Sequence, residues 1–337
     1  MTAVAPSSLS VVRSLVEPTL RAAVDRLNPQ MRRVAAYHMG WIEYDGTPAE
    51  NGGKALRPAL ALLSARAAGA PAETGVPGAA AVELVHAFSL LHDDIMDGDR
   101  TRRHRPAAWT LFGSSAAILG GDALLTLAVE VLLEQGTRGG YWAARGLTAA
   151  AQRLIAGQSL DLEFEQRDDV TLDECLSMSG DKTASLLACS CSVGAMLAEA
   201  PADLVTALTD FGAQLGLAFQ LIDDLLGIWG SPEVTGKPVL SDLRSRKKSL
   251  PVVAALTAGV DASTRLAELL AGAEPLSEDD LRLAARLVED SGGRAWAEEE
   301  AERRLTKATD RLKGAEMPDA VREEFLDLTR FVTARDR

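Results

Sequence analysis

The chain has 337 residues, 47% hydrophobic and 25% charged, which is enough to bury a large core and, on length alone, to allow two domains. Its formal net charge of −13 argues against a nucleic-acid partner, which calls for a basic face. Cys175, Cys189 and Cys191 have neither disulfide-framework nor zinc-site spacing, so they read as core thiols in a reducing compartment.

Aromatic residues make up only 4% of the chain, Ala and Leu are abundant, and no alternating β-branched run is bounded by turns. An all-α fold is expected. In chain order, residues 1–8 read as frayed. A helix is predicted from Val11 to about Arg33, on Val12, Leu15, Leu20, Ala23, Val24 and Leu27. Asp45 to Gly53 reads as a loop. Helical patterns follow at roughly 56–69, 77–98, 113–135, 141–166, 181–198, 202–229, 244–258, 262–271, 276–291, 292–313 and 317–333. The breaks carry Gly, Pro, Ser or Asp and are short, as packed helices require. Residues 1–337 are therefore expected to form a single all-α domain. Segments 77–98 and 202–229 are apolar on most faces, which marks them as central. No run of about 18 apolar residues is seen, so no membrane span is expected. With no basic segment leading into an apolar run at the N-terminus, no secretory signal and a cytoplasmic location are expected.

The most informative residues are two aspartate pairs in those central segments. The first is Asp93-Asp94-Ile95-Met96-Asp97, preceded by Phe88-Ser89-Leu90-Leu91-His92; the second is Asp223-Asp224-Leu225-Leu226-Gly227, preceded by Phe219-Gln220-Leu221-Ile222. Carboxylates beside Leu and Ile are expensive to bury unless a cation neutralises them. Positions i and i+4 lie above one another on a helix, so Asp93 and Asp97 point the same way and repel. Oxygen-only ligands of this kind suit magnesium, which substrate phosphates usually complete. Two such clusters on one cavity would hold a phosphate group between metals.

Cationic positions surround these clusters. Arg100, Arg102, Arg103, His104 and Arg105 follow the first; Arg244, Arg246, Lys247 and Lys248 follow the second. Gly52-Gly53-Lys54-Ala55-Leu56-Arg57-Pro58 turns tightly into a helix with Lys54 and Arg57 on one face. Taken alone, such a pair is common on protein surfaces. His86 lies two turns before Asp93 on the same face. Lys237, in the loop Gly236-Lys237-Pro238, could close over a substrate. Lys182 and Thr183 follow Gly180-Asp181 at a helix start, where Asp181 reads as an N-cap.

The order GGKALRP, HDDIMDGDRTRRHRP, DKTA, FQLIDDLL and GKPVLSDLRSRKKSLP resembles the trans-isoprenyl diphosphate synthases, the polyprenyl synthetase family, over roughly residues 50–255. The resemblance implies an isoprenoid-synthase-type bundle of about 10–13 helices around a deep cavity, usually a homodimer. It implies joining of isopentenyl diphosphate to an allylic diphosphate, head to tail, with a trio of magnesium ions. Asp93 and Asp97, with Asp94 nearby, and Asp223, supported by Asp224, resemble the metal ligands. Lys54, Arg57, His86 and Arg103 match positions that grip isopentenyl diphosphate; Arg102, Lys182, Lys237 and Lys247 match those around the allylic diphosphate. Thr183 and Gln220 match polar groups near the reacting carbons.

Four departures stand out. Gly227 occupies the place of the second motif's third aspartate, so weaker metal geometry is expected there. Ala55 replaces a basic residue and His104 a glycine. Arg246 replaces the glycine before Lys247. Product length is expected to be set below the first aspartates, where Phe88 and Ser89 lie about 6–8 Å deeper along the helix. An aromatic residue followed by a small one resembles the geranylgeranyl diphosphate synthases, so a C20 product is expected, with C15 as the nearest alternative.

A class I terpene cyclase would need a second metal motif running from Asn or Asp through Ser/Thr to Glu, and Asp223-Asp224 is not followed by one. A His-Asp phosphohydrolase would need further histidines beyond His38, His86 and His104 in a suitable arrangement. A non-catalytic partner subunit could lose its first aspartate motif, which is whole here.

Overall fold

The computed structural model describes residues 7–49, 55–231, 239–272 and 274–333. They form α1 (Ser7–Val24), α2 (Pro29–His38), α3 (Leu56–Ala67), α4 (Val76–Met96), α5 (Ala108–Phe112), α6 (Ser114–Leu133), α7 (Arg138–Phe164), α8 (Leu172–Ser179), α9 (Ser185–Leu197) and α10 (Ala202–Trp229). Then come α11 (Ser241–Arg244), α12 (Leu250–Thr257), α13 (Asp261–Leu270), α14 (Glu278–Asp290), α15 (Gly293–Lys313) and α16 (Asp319–Thr333). The described β-structure is a hairpin of β1 (Thr101–Arg102) with β2 (Arg105–Pro106), antiparallel, and an isolated bridge between Ile42 and Pro48.

Several predicted boundaries are corrected. The single helix from Val11 to Arg33 is two helices, because Asn28 accepts hydrogen bonds from the Gln30 and Met31 amides and Pro29 opens α2. The predicted helix 181–198 begins earlier: α8 runs through a π turn, Gly180–Ala184, into α9. Its true start is a capping box in which Thr171 and Glu174 satisfy each other's backbone amides. The predicted 244–258 helix is α11 and α12, separated by residues 245–249.

Helices α4 and α10 are central. Helix α4 packs on α6, α3 and α9; α10 packs on α15 and α9. The largest apolar cluster includes Leu60, Leu84, Leu91, Leu124, Leu147 and Phe211. A smaller one beneath the second aspartate pair joins Phe164, Leu221, Leu250 and Val253. Close approach of α3 and α9 requires Gly194, where a Cβ would meet Ser64 Oγ at 2.6 Å and the Ala65 nitrogen at 2.7 Å. The expectation that no span-length apolar run exists is also corrected. Among the described residues, Ala72–Met96, Ser114–Leu133 and Ala202–Trp229 are long and apolar enough to cross a membrane. Their windows are 67%, 50% and 50% buried within the protein, as suits central helices of a bundle.

Candidate active site

The first aspartate motif closes α4. The Asp97 amide donates to the Asp93 carbonyl at 2.8 Å, so helical geometry carries through Asp97 and stacks the two residues. These charges sit at the negative end of the helix dipole, which disfavours them. Asp94 is almost wholly buried, and its Oδ1 accepts from Arg102 Nε at 2.8 Å and from Arg102 Nη2. Its Oδ2 is buried without a hydrogen-bond partner among the described residues. Arg102 reaches Asp94 from the β1–β2 hairpin, whose turn residues Arg103 and His104 have φ of 51° and 62°. A left-handed backbone there explains why glycine suits position 104.

On α10 the two aspartates divide. Asp223 is exposed, whereas Asp224 is buried, with Oδ1 accepting from Gln220 Nε2 at 2.7 Å and Oδ2 from the Leu250 amide at 2.9 Å. Gln220 Oε1 in turn accepts from Thr183 Oγ1 at 2.5 Å. This chain of bonds locks the π turn, α10 and α12 together. The π turn also presents Lys182, whose Nζ pairs with Asp161 of α7 at 2.5 Å. A Cβ at Gly157 would lie 2.7 Å from the Lys182 Cα, so glycine is what lets α7 approach that turn.

Charge shows which groups share the space. Burial pushes the Asp93 carboxyl up to about 6, against the pull of Lys182 and with the repulsion of Asp97. Burial likewise raises Asp97, opposed by Lys182 and Lys247. Asp224 is also pushed up to about 6 by burial, opposed by Lys247. Burial works against the Lys247 ammonium, but Asp224, Asp242, Asp161 and Asp97 together hold its pKa above the usual lysine value. One ammonium thus lies in the field of both motifs. The walls carrying Asp97 and Asp224 face the same region.

No group of three His, Cys, Asp or Glu side chains is preformed to hold a metal among the described residues. Magnesium does not demand one: it is held by one or two carboxylates and completed by water and substrate phosphate. Stacked Asp93 and Asp97, their repulsion, and the orphaned buried oxygen of Asp94 fit such an ion.

A second basic pocket lies behind α4. Arg57 Nη1 is 3.4 Å from His86 Nε2. His38, Glu83, His86 and Arg103 line a cavity of about 70 Å³. Burial, then Arg57 and Arg103, push the His86 pKa well down; burial and Arg102, Arg103 and Arg105 bring His38 to about 3. Both imidazoles are therefore neutral at pH 7, and the charge comes from the arginines.

Lys54 and Lys237 lie outside the described residues. Asp181 is not an N-cap, since the helix continues through it, and its carboxylate accepts from Arg153 Nε at 2.7 Å. Phe88 is 5% exposed, with its ring edge-on to His92 at 4.9 Å between centroids, and Ser89 Oγ donates to the His86 carbonyl at 2.9 Å. Three carboxylates of this region escaped the sequence reading: Glu83, Asp161 and Asp242. Glu83 carried the same signal as the aspartates, a carboxylate within an apolar helix, three residues before His86. Asp161 likewise interrupts the apolar end of α7.

A family model described as polyprenyl synthetase matches residues 47–288. The chain is 50% identical over 331 residues to a (2E,6E)-farnesyl diphosphate synthase of Mycobacterium tuberculosis, covering 97% of this chain and 92% of that protein. It is 42% identical over 322 residues to a geranylgeranyl diphosphate synthase of the same organism, covering 95% and 91%. The crystal structure of a polyprenyl synthetase from Streptomyces coelicolor A3(2) superposes with a TM-score of 0.94 at 54% identity, covering 98% of this chain and 99% of that one. With its five motifs in order on this helical frame, the chain belongs to the polyprenyl synthetase family and is a prenyltransferase.

Proposed function

We propose that this enzyme condenses isopentenyl diphosphate with an allylic diphosphate, head to tail, to give a trans-prenyl diphosphate. The observation that carries the reading is Lys247 lying in the field of Asp97 and Asp224 at once, with Asp93 in the field of Lys182. These charges support one anion-binding centre between the two helices, and the basic pocket at Arg57, His86 and Arg103 supports a second. Two diphosphates need two such places.

Asp93, Asp97 and Asp223 are assigned as magnesium ligands, with Asp94 and Asp224 supporting them through Arg102 and Gln220. When bound, magnesium withdraws charge from the allylic diphosphate and activates it as a leaving group. Lys182, Lys247, Arg102 and Lys237 add positive charge around that diphosphate, so the allylic C–O bond breaks with its electron pair going to the leaving oxygen. Lys54, Arg57, His86 and Arg103 hold isopentenyl diphosphate with its double bond facing the allylic cation. The alkene attacks, a carbon–carbon bond forms, and the proton lost from the adjacent carbon passes to the released diphosphate. Thr183 and Gln220 present oxygens beside the cation, and the Leu- and Ala-rich helices keep water from capturing it.

The product assigned is geranylgeranyl diphosphate, with Phe88 as the floor. The 50% identity to a farnesyl diphosphate synthase favours a C15 product as the second reading. The whole chain is assigned as one domain that works in the cytoplasm as a homodimer. Its self-association is placed on the exposed apolar face of α6 and α7, at Ile118, Leu119, Leu133 and Ile155.

Incubating the purified protein with isopentenyl diphosphate and each allylic starter, with and without magnesium, tests the reaction. Isopentenyl diphosphate is expected to be consumed only with magnesium and to appear in a longer prenyl diphosphate. Consumption of the allylic substrate alone would identify a cyclase instead.

A further inference from the structure

We propose that Arg105 is a positioning residue that braces the β1–β2 hairpin and so holds Arg103 in the basic pocket behind α4. The inference rests on the reading of that pocket as the isopentenyl diphosphate site. On its own the hairpin is a poor structure. Its strands are Thr101–Arg102 and Arg105–Pro106, two residues each, and both turn residues, Arg103 and His104, have positive φ, 51° and 62°. Side chains strain such a turn, and so short a hairpin is at best marginal in water. The register also sets Arg102 opposite Arg105, and like charges paired across strands repel. Something outside the hairpin must hold it.

Arg105 supplies that hold. Its Nη1 donates to the Tyr37 carbonyl at 3.1 Å, and its Nη2 donates to the Ile42 carbonyl at 2.8 Å and to Glu43 Oε2 at 3.0 Å. Its guanidinium carbon also lies 4.3 Å from the centroid of the Tyr37 ring. Tyr37 is buried and returns the contact, its hydroxyl donating to the Pro106 carbonyl at 2.8 Å. The hairpin is thereby tied to the end of α2 and to the loop that follows it. Only a planar fork reaches so many acceptors at once; the point charge of a lysine does not. Arg102 is neutralised elsewhere, by Asp94. The anchoring matters because of what the turn carries: Arg103 lines the cavity together with His38, Glu83 and His86. His38 follows Tyr37 in the chain, so one brace fixes two walls of the pocket without lining it.

The test is calorimetric titration of isopentenyl diphosphate alone, and separately of inorganic pyrophosphate with magnesium, into the full-length protein, alongside thermal melting of each variant. Arg105→Met, which keeps a stem and removes the fork, is expected to weaken isopentenyl diphosphate binding about tenfold and to change magnesium–pyrophosphate binding by less than about threefold. Arg105→Lys and Tyr37→Phe are milder and are each expected to weaken isopentenyl diphosphate binding about threefold, which keeps the test open should Arg105→Met not fold. Because Arg105 acts through Arg103, the combination of Arg103→Met with Arg105→Met is expected to bind no more weakly than Arg103→Met alone. Original affinity for isopentenyl diphosphate in the folded Arg105 and Tyr37 variants overturns the proposal. So do losses that multiply in the double variant, and so do equal losses for both ligands, which would mark a contribution to the fold at large. If the unmodified protein does not bind isopentenyl diphosphate, the reading of the pocket itself falls, and the inference with it.

Discussion

At the scale of single residues, the site is a set of carboxylates kept in an unfavourable place. Burial holds Asp93 and Asp224 near 6, above their ordinary value, so the metal-free fold favours their protonated forms. The sign follows from linkage: these groups stabilise the metal-free protein at low pH, and that contribution is lost as pH rises through about 6. Magnesium with pyrophosphate binds the charged forms and reverses the preference. Added together, they are expected to raise the melting temperature more at about pH 7.5 than at about pH 5.5. Scanning fluorimetry across that range checks this, and equal shifts at both values would contradict it. Phe88→Ala is a second test at this scale. The smaller side chain is expected to lengthen the product by at least one five-carbon unit, read by chromatography of the dephosphorylated alcohols. The aspartates were legible in the sequence because charge inside an apolar helix has few explanations. Asp242 was not, since the signal lies in its approach to Gly227 and no spacing rule reaches between α10 and α11.

At the scale of elements, α4, the π turn and α10 carry most of the residues assigned to the site. Most long helices could be read from apolar periodicity, and α7, α10 and α13 to α16 fall within about three residues of their predicted spans. The failures have local causes. The split between α1 and α2 is written in Asn28-Pro29, a cap followed by a residue suited to a first helical turn, but the apolar stripe runs past it. The capping box at Thr171 and Glu174 was likewise present in the sequence and marks a start that periodicity alone missed. Close contacts were the illegible part. Gly194 reads as an ordinary small residue, yet its amide donates to Ser64 Oγ at 2.9 Å and no Cβ fits beside it. Gly194→Ala is expected to destabilise the fold by about 1–3 kcal/mol through overpacking. Denaturant titration would reveal this; a variant as stable as the original would refute the tight α3–α9 seam.

At the scale of the whole molecule, the apolar surface on α6 and α7 stands out. Leu119 is 55% exposed and Ile118 42%, on a helix otherwise rich in Ala, Leu and Val. Isolated exposed apolar residues are ordinary, but several on adjacent helices suit the contact proposed with a second copy. Leu119→Glu is expected to shift the protein from dimer to monomer, measured by light scattering at micromolar concentration. A monomeric unmodified protein, or a dimer indifferent to the substitution, would place self-association elsewhere or remove it. Such an exposed apolar face could not be read from the sequence, because its residues have the same helical spacing as those that face the core.

Convergence of the two aspartate helices on one diphosphate is the claim on which the rest stands. It is tested most directly by measuring how many pyrophosphates bind per chain in the presence of magnesium, and how tightly, in the unmodified protein, Asp93→Asn and Asp223→Asn. The structure leads us to expect one magnesium-dependent pyrophosphate per chain, weakened about a hundredfold or more by either substitution. A variant that still binds one pyrophosphate per chain at the original affinity would show that the two motifs serve separate sites.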